Sequence, residues 1–373
     1  MEYQKTIVDV VIAMIRASLH NQKIDERLLS DIDLDQLFDL CYRHQITALA
    51  AYSLTKPDNR WEGALLESIR RTALFDDERN KILSCFEKEQ IWYCCLKGIV
   101  LKNYYPAYGL REMSDNDILF DSNKDEEVRR IMETIGYKTS SFAETNHDVY
   151  HKKPIFNFEM HRDLFQTHYN DLFYQYFSPI KERLLANKEK NYEYLFDPND
   201  FYVYIISHIF KHYDGFGTGL RSLIDIYVYV KNNKLDWDYI SKEMSKLELN
   251  AFEHDIRSLS FDLFDDKRLT EKEESDLEYI ISSGVYGTTE NRAKTKIGKI
   301  GKIRYVIDRL SVPQKETDPR YVFFKKEYPF FYEHRILLPL LPMHRLIKSI
   351  IVKREKVRIE LKSLLKYKKL NKS

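Results

Sequence analysis

Two aspartates, Asp115 and Asp117, stand two residues apart in the segment MSDNDILF (113–120). Side chains alternate along a strand, so this spacing projects both carboxylates from one face and sends Asn116 and Ile118 to the other. Adjacent carboxylates repel each other unless a cation sits between them. Such an oxygen pair suits Mg²⁺, which accepts one or two protein carboxylates and takes its other ligands from water and phosphates. A third carboxylate, Glu159, lies in the alternating run FNFEMH (156–161), on its polar face with Asn157 and His161. Upstream, Lys97 offers a point charge, Gly98 a close backbone approach and Arg111 a planar fork, all suited to phosphate. Three carboxylates can hold two Mg²⁺ about 4 Å apart, activating an acceptor oxygen and stabilising departing pyrophosphate. The chemistry expected is metal-dependent nucleotidyl transfer, although an Asp-x-Asp pair also occurs by chance on exposed strands.

Other pairs are more ambiguous. His208 and His212 share a helical face at i, i+4, but Ile209 stands where a zinc-protease motif needs Glu, so they read as residues that line the cleft or pack against aromatic neighbours, or as a metal pair. Arg221 and Asp225 have the same spacing and read either as a surface ion pair or as a phosphate-binding arginine with its partner. His161 reads as a further cleft residue.

The elements that must position these groups are legible from periodicity. Apolar residues recur at helical spacing through VDVVIAMIRASL, DQLFDLCYRHQITALAAYSL and LLESIRRTALFDDERNKILSCF. IWYCCL (91–96) reads as a buried strand ended by Gly98, GIVLKNYY as a short helix, and 113–120 as the strand bearing the aspartates. A helix follows, capped by Ser122 or Asn123 and ended by Gly136. Residues 137–142 and 148–162 read as extended. From about 198 the pattern is again helical, with a looser loop near 284–296 and a basic helix at the C-terminus, read as a solvated face held down by Leu346, Ile350 and Val357, or else as a surface for nucleic acid or an anionic membrane. The expected fold class is α+β: a small mixed-sheet core (89–165) between an N-terminal helical region (1–88) and a C-terminal helical domain with a basic tail (166–373).

Composition supports a globular chain. Of 373 residues 43% are hydrophobic, with only 11 Gly and 10 Pro, which favours long helices. The net charge of +1 hides an asymmetry, since residues 339–373 hold 11 Lys+Arg against 2 Asp+Glu. Four cysteines without metal-ligand spacing argue against a disulfide framework and for a reducing cytoplasm. IVDVVIAMI is interrupted by Asp9 and followed by Arg16, so it reads as an amphipathic helix and not a signal peptide. No apolar run approaches a membrane span.

The order L-K-G, Y-P, R-x-x-S-D-x-D-I-L, then a helix ending G-Y, resembles the uncharacterised nucleotidyltransferase family of the DNA-polymerase-β-like superfamily. FEMHRDLF (158–165), HIFKHY and LRSLIDI (208–226) extend the likeness. The resemblance implies that Asp115, Asp117 and Glu159 bind metal and carry catalysis. It also implies that Lys97, Gly98, Arg111, Ser114 and Arg221 face the nucleotide phosphates, and that His161, His208, His212 and Asp225 line the cleft. Two Mg²⁺ are implied, with Mn²⁺ as an alternative, and an NTP such as ATP as donor. The acceptor (small molecule, protein or nucleic acid) and the oligomeric state are left open. Lys-Gly-Ile replaces the usual superfamily Gly-Ser turn, and Asn116 replaces an apolar residue between the aspartates.

The expected activity is transfer of a nucleoside monophosphate with release of pyrophosphate. The alternatives are a catalytically silent nucleotide-binding or regulatory protein, as in a toxin–antitoxin-like pair, and a nucleic-acid-binding protein acting through the basic tail.

Overall fold

A computed structural model describes residues 5–166, 170–285, 287–316, 318, 320–352 and 354–366. The chain divides into two compact units, one over residues up to 210 and 219–285, the other over 211–218 and from 286 onward.

The first unit is α+β. Its N-terminal helices are α1 (Lys5–Leu19), α2 (Leu34–Arg43), α3 (Thr47–Tyr52) and the long α4 (Asn59–Lys88). The strands are β1 (Tyr93–Cys95), β2 (Asn116–Phe120), β3 (Lys138–Ser141), β4 (His147–Lys152) and β5 (Phe156–His161), with α5 (Lys97–Leu101) and α6 (Asp125–Thr134) between them. They form one sheet in the order β1-β2-β5-β4-β3, in which only β2 and β5 run parallel. Beyond the sheet lie α7 (Asp171–Phe177), α8 (Pro198–Gly215), α9 (Leu220–Asn232), α10 (Trp237–Lys246), α11 (Asn250–Phe264) and α12 (Glu271–Ser283).

Strand alternation decides which face is core. Ile118 and Phe120 of β2 join Phe158 and Met160 of β5 against Phe75, Ile82 and Phe86 of α4 and Val128 and Met132 of α6. The opposite side of the same strands carries Asp117, Glu159 and His161. Asn116, on the core side, is fully buried, and its Oδ1 accepts a hydrogen bond from Arg79 of α4 at 3.0 Å. The polar residue between the aspartates therefore ties β2 to α4.

Local readings need four corrections. The extended run 148–162 is two strands, β4 and β5, joined by a turn at residues 153–155. The cap before α6 is Asp121, which accepts from Asn123 N and opens a 3-10 turn at Ser122–Lys124 leading into the helix. The expected loop at 284–296 is largely helix α13 (Thr289–Ile300), capped by Thr288. The strand expected from 113 starts at Asn116. The basic C-terminal run is helical as expected, described as α17 (Leu341–Val352) and α18 (Arg354–Lys366) on either side of residue 353.

The second unit also contains α14 (Lys302–Leu310), α15 (Tyr321–Glu327) and α16 (Pro329–Glu333). It holds two small apolar clusters. Ala293, Ile297 and Tyr305 are joined by Leu364 of α18, while Tyr321, Phe324, Tyr332 and Leu338 are joined by Leu341 of α17. Leu346 and Ile350, expected to hold the basic run down, are exposed. The last residues, 367–373, lie outside the described part.

A buried histidine clamps the helices of the first unit. His44, just past α2, accepts at Nδ1 from Leu220 N (3.0 Å) at the start of α9 and donates from Nε2 to Ile281 O (3.2 Å) of α12. That pattern requires the neutral ring, and burial lowers its pKa from 6.5 to about 4. Below pH ~6.5 the unfolded chain binds a proton that the folded chain refuses, so stability should fall with pH from there to about pH 4. A shift of that size corresponds to about 3 kcal/mol at most. His44→Gln should flatten the dependence of chemical-denaturation stability on pH over that window. An unchanged slope would show that other groups carry it.

Candidate active site

Lys97 begins α5 directly after β1, with φ of +44°, a left-handed conformation that a non-glycine residue adopts only when its surroundings hold it there. From that position its ammonium reaches Asp117 Oδ1 at 2.6 Å. His161 Nε2 donates to the same oxygen at 2.8 Å and lies 3.6 Å from Glu159 Oε2. In the parallel pairing of β2 and β5, Asp117 stands opposite Glu159. Asp117 and Glu159 therefore share one imidazole. On the next strand His147 pairs opposite His161, its ring 4.9 Å from that of His161 and its Nε2 3.6 Å from Glu159 Oε2.

Asp115 lies one residue before β2, in a loop that the N-terminal helices hold. Arg71 of α4 donates to Met113 O at 2.7 Å and Ser114 O at 3.4 Å. Ser114 Oγ donates to Gln45 Oε1 at 3.0 Å, and Glu112 accepts from Ala48 N at 2.9 Å. Arg221 of α9 donates to Gln45 Oε1 and to Glu112 O.

The electrostatics divide the aspartates into unlike partners. Burial and the neighbouring Asp117 charge push the Asp115 carboxyl up to about 6, against the pull of Lys97 and Arg221. Burial also opposes ionisation of Asp117, but Lys97 and the His161 hydrogen bond hold it well below the carboxylate range. Glu159 is lowered too, burial being offset by the His161 hydrogen bond. Burial and the neighbouring His161 lower His147 to about 4. Asp117 is thus already balanced by the Lys97 ammonium, whereas Asp115 is the carboxylate short of positive charge.

Ligand atoms of His147, Glu159 and His161 all lie within 4.8 Å of one another, so these three could close around one ion by small side-chain movements. Mixed nitrogen and oxygen donors suit Mn²⁺ and other transition ions, while the carboxylates alone suit Mg²⁺. Both donor sets fit a divalent cation, and Asp115 gives a reason for one to bind.

Several residues expected to contact phosphate or line the cleft take partners within the protein. Arg111 and Asp225 form a buried bidentate pair (Nε–Oδ1 and Nη2–Oδ2, both 2.8 Å), and Tyr105 O–H donates to the same carboxylate at 2.8 Å. Asp225 therefore partners Arg111, not Arg221, and the pair is internal, not at the surface. Gly98 is needed because a Cβ there would overlap the Arg111 guanidinium and touch Met113 Sδ at 3.0 Å. His208 stacks obliquely beside Tyr204 of α8, centroids 6.1 Å apart, and the Tyr204 hydroxyl feels Lys97, Asp117 and Glu159. His212 falls in the second unit.

Sequence reasoning missed His147, Tyr204, Arg71 and Gln45. His147 had a signal: a hairpin ending at His161 sets its antiparallel partner. The helical residues had none, because their contacts depend on tertiary packing.

The uncharacterised nucleotidyltransferase family matches this chain over residues 30–265. The chain belongs to that family. The match includes the sheet, the Asp-x-Asp loop and α9, so it covers every residue just described. No curated protein matches, and no solved structure matches. Membership supports nucleotidyl transfer as the general activity and an NTP as substrate. Among the described residues no helix is long and apolar enough to cross a membrane. The four cysteines are free.

Proposed function

We propose that this protein is an NTP-dependent nucleotidyltransferase that uses divalent metal held by Asp115, Asp117 and Glu159, with Mg²⁺ as the physiological ion. The observation that carries this reading is the shared arrangement of the two facing carboxylates, Asp117 and Glu159, with the charge-deficient Asp115 beside them. When bound, the metal supplies charge neutralisation at the triphosphate and lowers the pKa of the acceptor oxygen.

The protein's own groups do the positioning. Lys97 sits on Asp117 before substrate arrives, and a triphosphate gives its ammonium a second anionic partner. His161 holds Asp117 by its hydrogen bond and keeps its ring 3.6 Å from Glu159, while Arg71, Gln45 and Arg221 hold the loop that carries Asp115. In-line displacement at a phosphorus needs little else from the protein than such positioning and charge balance. The free cysteines agree with a cytoplasmic setting. Histidines near Glu159 favour Mn²⁺ as an effective substitute.

The test is incubation with each α-labelled NTP, Mg²⁺ or Mn²⁺, and cell extract, following label transfer and pyrophosphate release. A product heavier by one nucleoside monophosphate is expected. NTP binding without pyrophosphate release across all four nucleotides and extract fractions would instead make this a nucleotide-binding regulator of the same fold.

A further inference from the structure

Helix α17 is built inside out. Met343, Leu346, Ile347, Ile350 and Ile351 recur at i, i+3, i+4, i+7 and i+8, the spacing of one continuous apolar stripe. In a globular helix that stripe faces the core. Here those five residues are 59, 47, 51, 49 and 74% exposed. Its other side does the packing. Leu341 is buried, the Arg345 guanidinium lies 4.4 Å from the centre of the Phe324 ring and donates to Ser311 O at 3.2 Å, and Lys348 Nζ sits 5.3 Å from the Tyr328 ring centre. The helix is anchored through cations on aromatic faces, leaving its aliphatic face outward.

Charge decides what covers that face. From Arg335 to Arg354 there are five Lys+Arg residues (Arg335, Arg345, Lys348, Lys353, Arg354) and no Asp or Glu, and the excess continues to the end of the chain. Two copies packed stripe to stripe would bring like charges together. A nucleic acid would neutralise the cations but leave the aliphatic stripe in water. A surface both apolar and anionic satisfies both. We propose that α17 is an in-plane membrane anchor whose stripe enters the interface of an anionic bilayer while the flanking Lys and Arg contact lipid headgroups. One side of α17 is basic, and among the described residues no helix is long and apolar enough to cross a membrane, so the helix lies along the surface.

The test is flotation of the full-length protein with phosphatidylcholine vesicles, with and without about 30% phosphatidylglycerol, at low and physiological ionic strength. Binding to the anionic vesicles is expected, weaker at higher salt and weak on neutral vesicles. Ile347→Asp with Ile351→Asp should weaken it at least ~10-fold, since it places charge in the buried stripe, with circular dichroism and NTP binding unchanged because both positions are exposed. Arg335→Glu with Arg354→Glu, both exposed, should remove the preference for anionic lipid. Failure of the wild type to float would overturn the proposal, as would full binding by the double-aspartate variant. So would a dimer in solution that the same variant dissociates, or an RNA complex that it leaves intact. NTP binding measured alongside keeps this outcome separate from the active-site reading.

Discussion

Asp115→Asn and Asp117→Asn should each lower nucleotidyl transfer by at least ~10²–10³-fold, as expected when a charged group at a reacting phosphate is lost, yet shift stability in opposite directions. In metal-free buffer Asp115 is the carboxylate that burial and Asp117 destabilise, its pKa raised to about 6. A raised carboxylate pKa means that the folded chain holds a proton that the unfolded chain has released. The penalty therefore appears between about pH 4 and 6 and is complete above. Asn at 115 removes it, and the melting temperature at neutral pH should rise, with little change at pH 4. Asp117 is the opposite case, held well below its ordinary value by Lys97 and the His161 hydrogen bond. Asn there leaves the Lys97 ammonium without its counter-charge at 2.6 Å, and the melting temperature should fall. Two simply repelling aspartates would give shifts of the same sign; the Lys97 and His161 contacts to Asp117 make the signs opposite. Thermal melts of both single variants in EDTA, at pH 4 and 7.5, check the signs. Equal shifts in the same direction would show that Lys97 does not neutralise Asp117 in solution.

What was legible in the sequence, and what was not, follows from how each contact is encoded. Period-two alternation in FNFEMH and the Asp-x-Asp spacing identified the polar sheet face, because strand geometry fixes the direction of each side chain. Glu159 and His161 were therefore placed on the site face before pairing was known, and the parallel register with β2 brings Glu159 opposite Asp117. The expected strand start at 113 was early by three residues, since Arg71 and Gln45 hold Met113 and Ser114 out of the sheet in a loop. Spacing along one helix misled at Arg221 and Asp225. An i, i+4 pair looks local, but a buried carboxylate takes the partner with the best desolvated geometry, and Arg111, 114 residues away, offers both prongs of its fork. The α17 stripe shows the same limit from the other side: its period was readable, but not which way it points.

That buried pair gives the largest stability effect expected. Arg111→Met leaves Asp225 buried with only the Tyr105 hydroxyl, and loss of one partner from a desolvated ion pair costs about 3–5 kcal/mol. In a unit of this size that corresponds to a fall in melting temperature on the order of 10 °C. Replacing the whole network is different, because two apolar side chains and Phe at 105 leave no stranded charge or hydroxyl. Arg111→Met, Asp225→Leu and Tyr105→Phe together should recover most of the stability. The triple variant also decides what Arg111 is for. If the pair only holds the Asp115 loop against α9, transfer activity should return with the fold, with KM for the NTP near that of the wild type. If Arg111 instead leaves Asp225 to meet the triphosphate during the reaction, the triple variant should be stable but defective, with a KM raised at least ~10-fold from the loss of a charged phosphate contact. The geometry favours the first outcome, because both Arg111 prongs are occupied at 2.8 Å and the guanidinium is packed against Gly98. Arg111→Lys should fall between the two, keeping the charge but losing one of the two parallel hydrogen bonds.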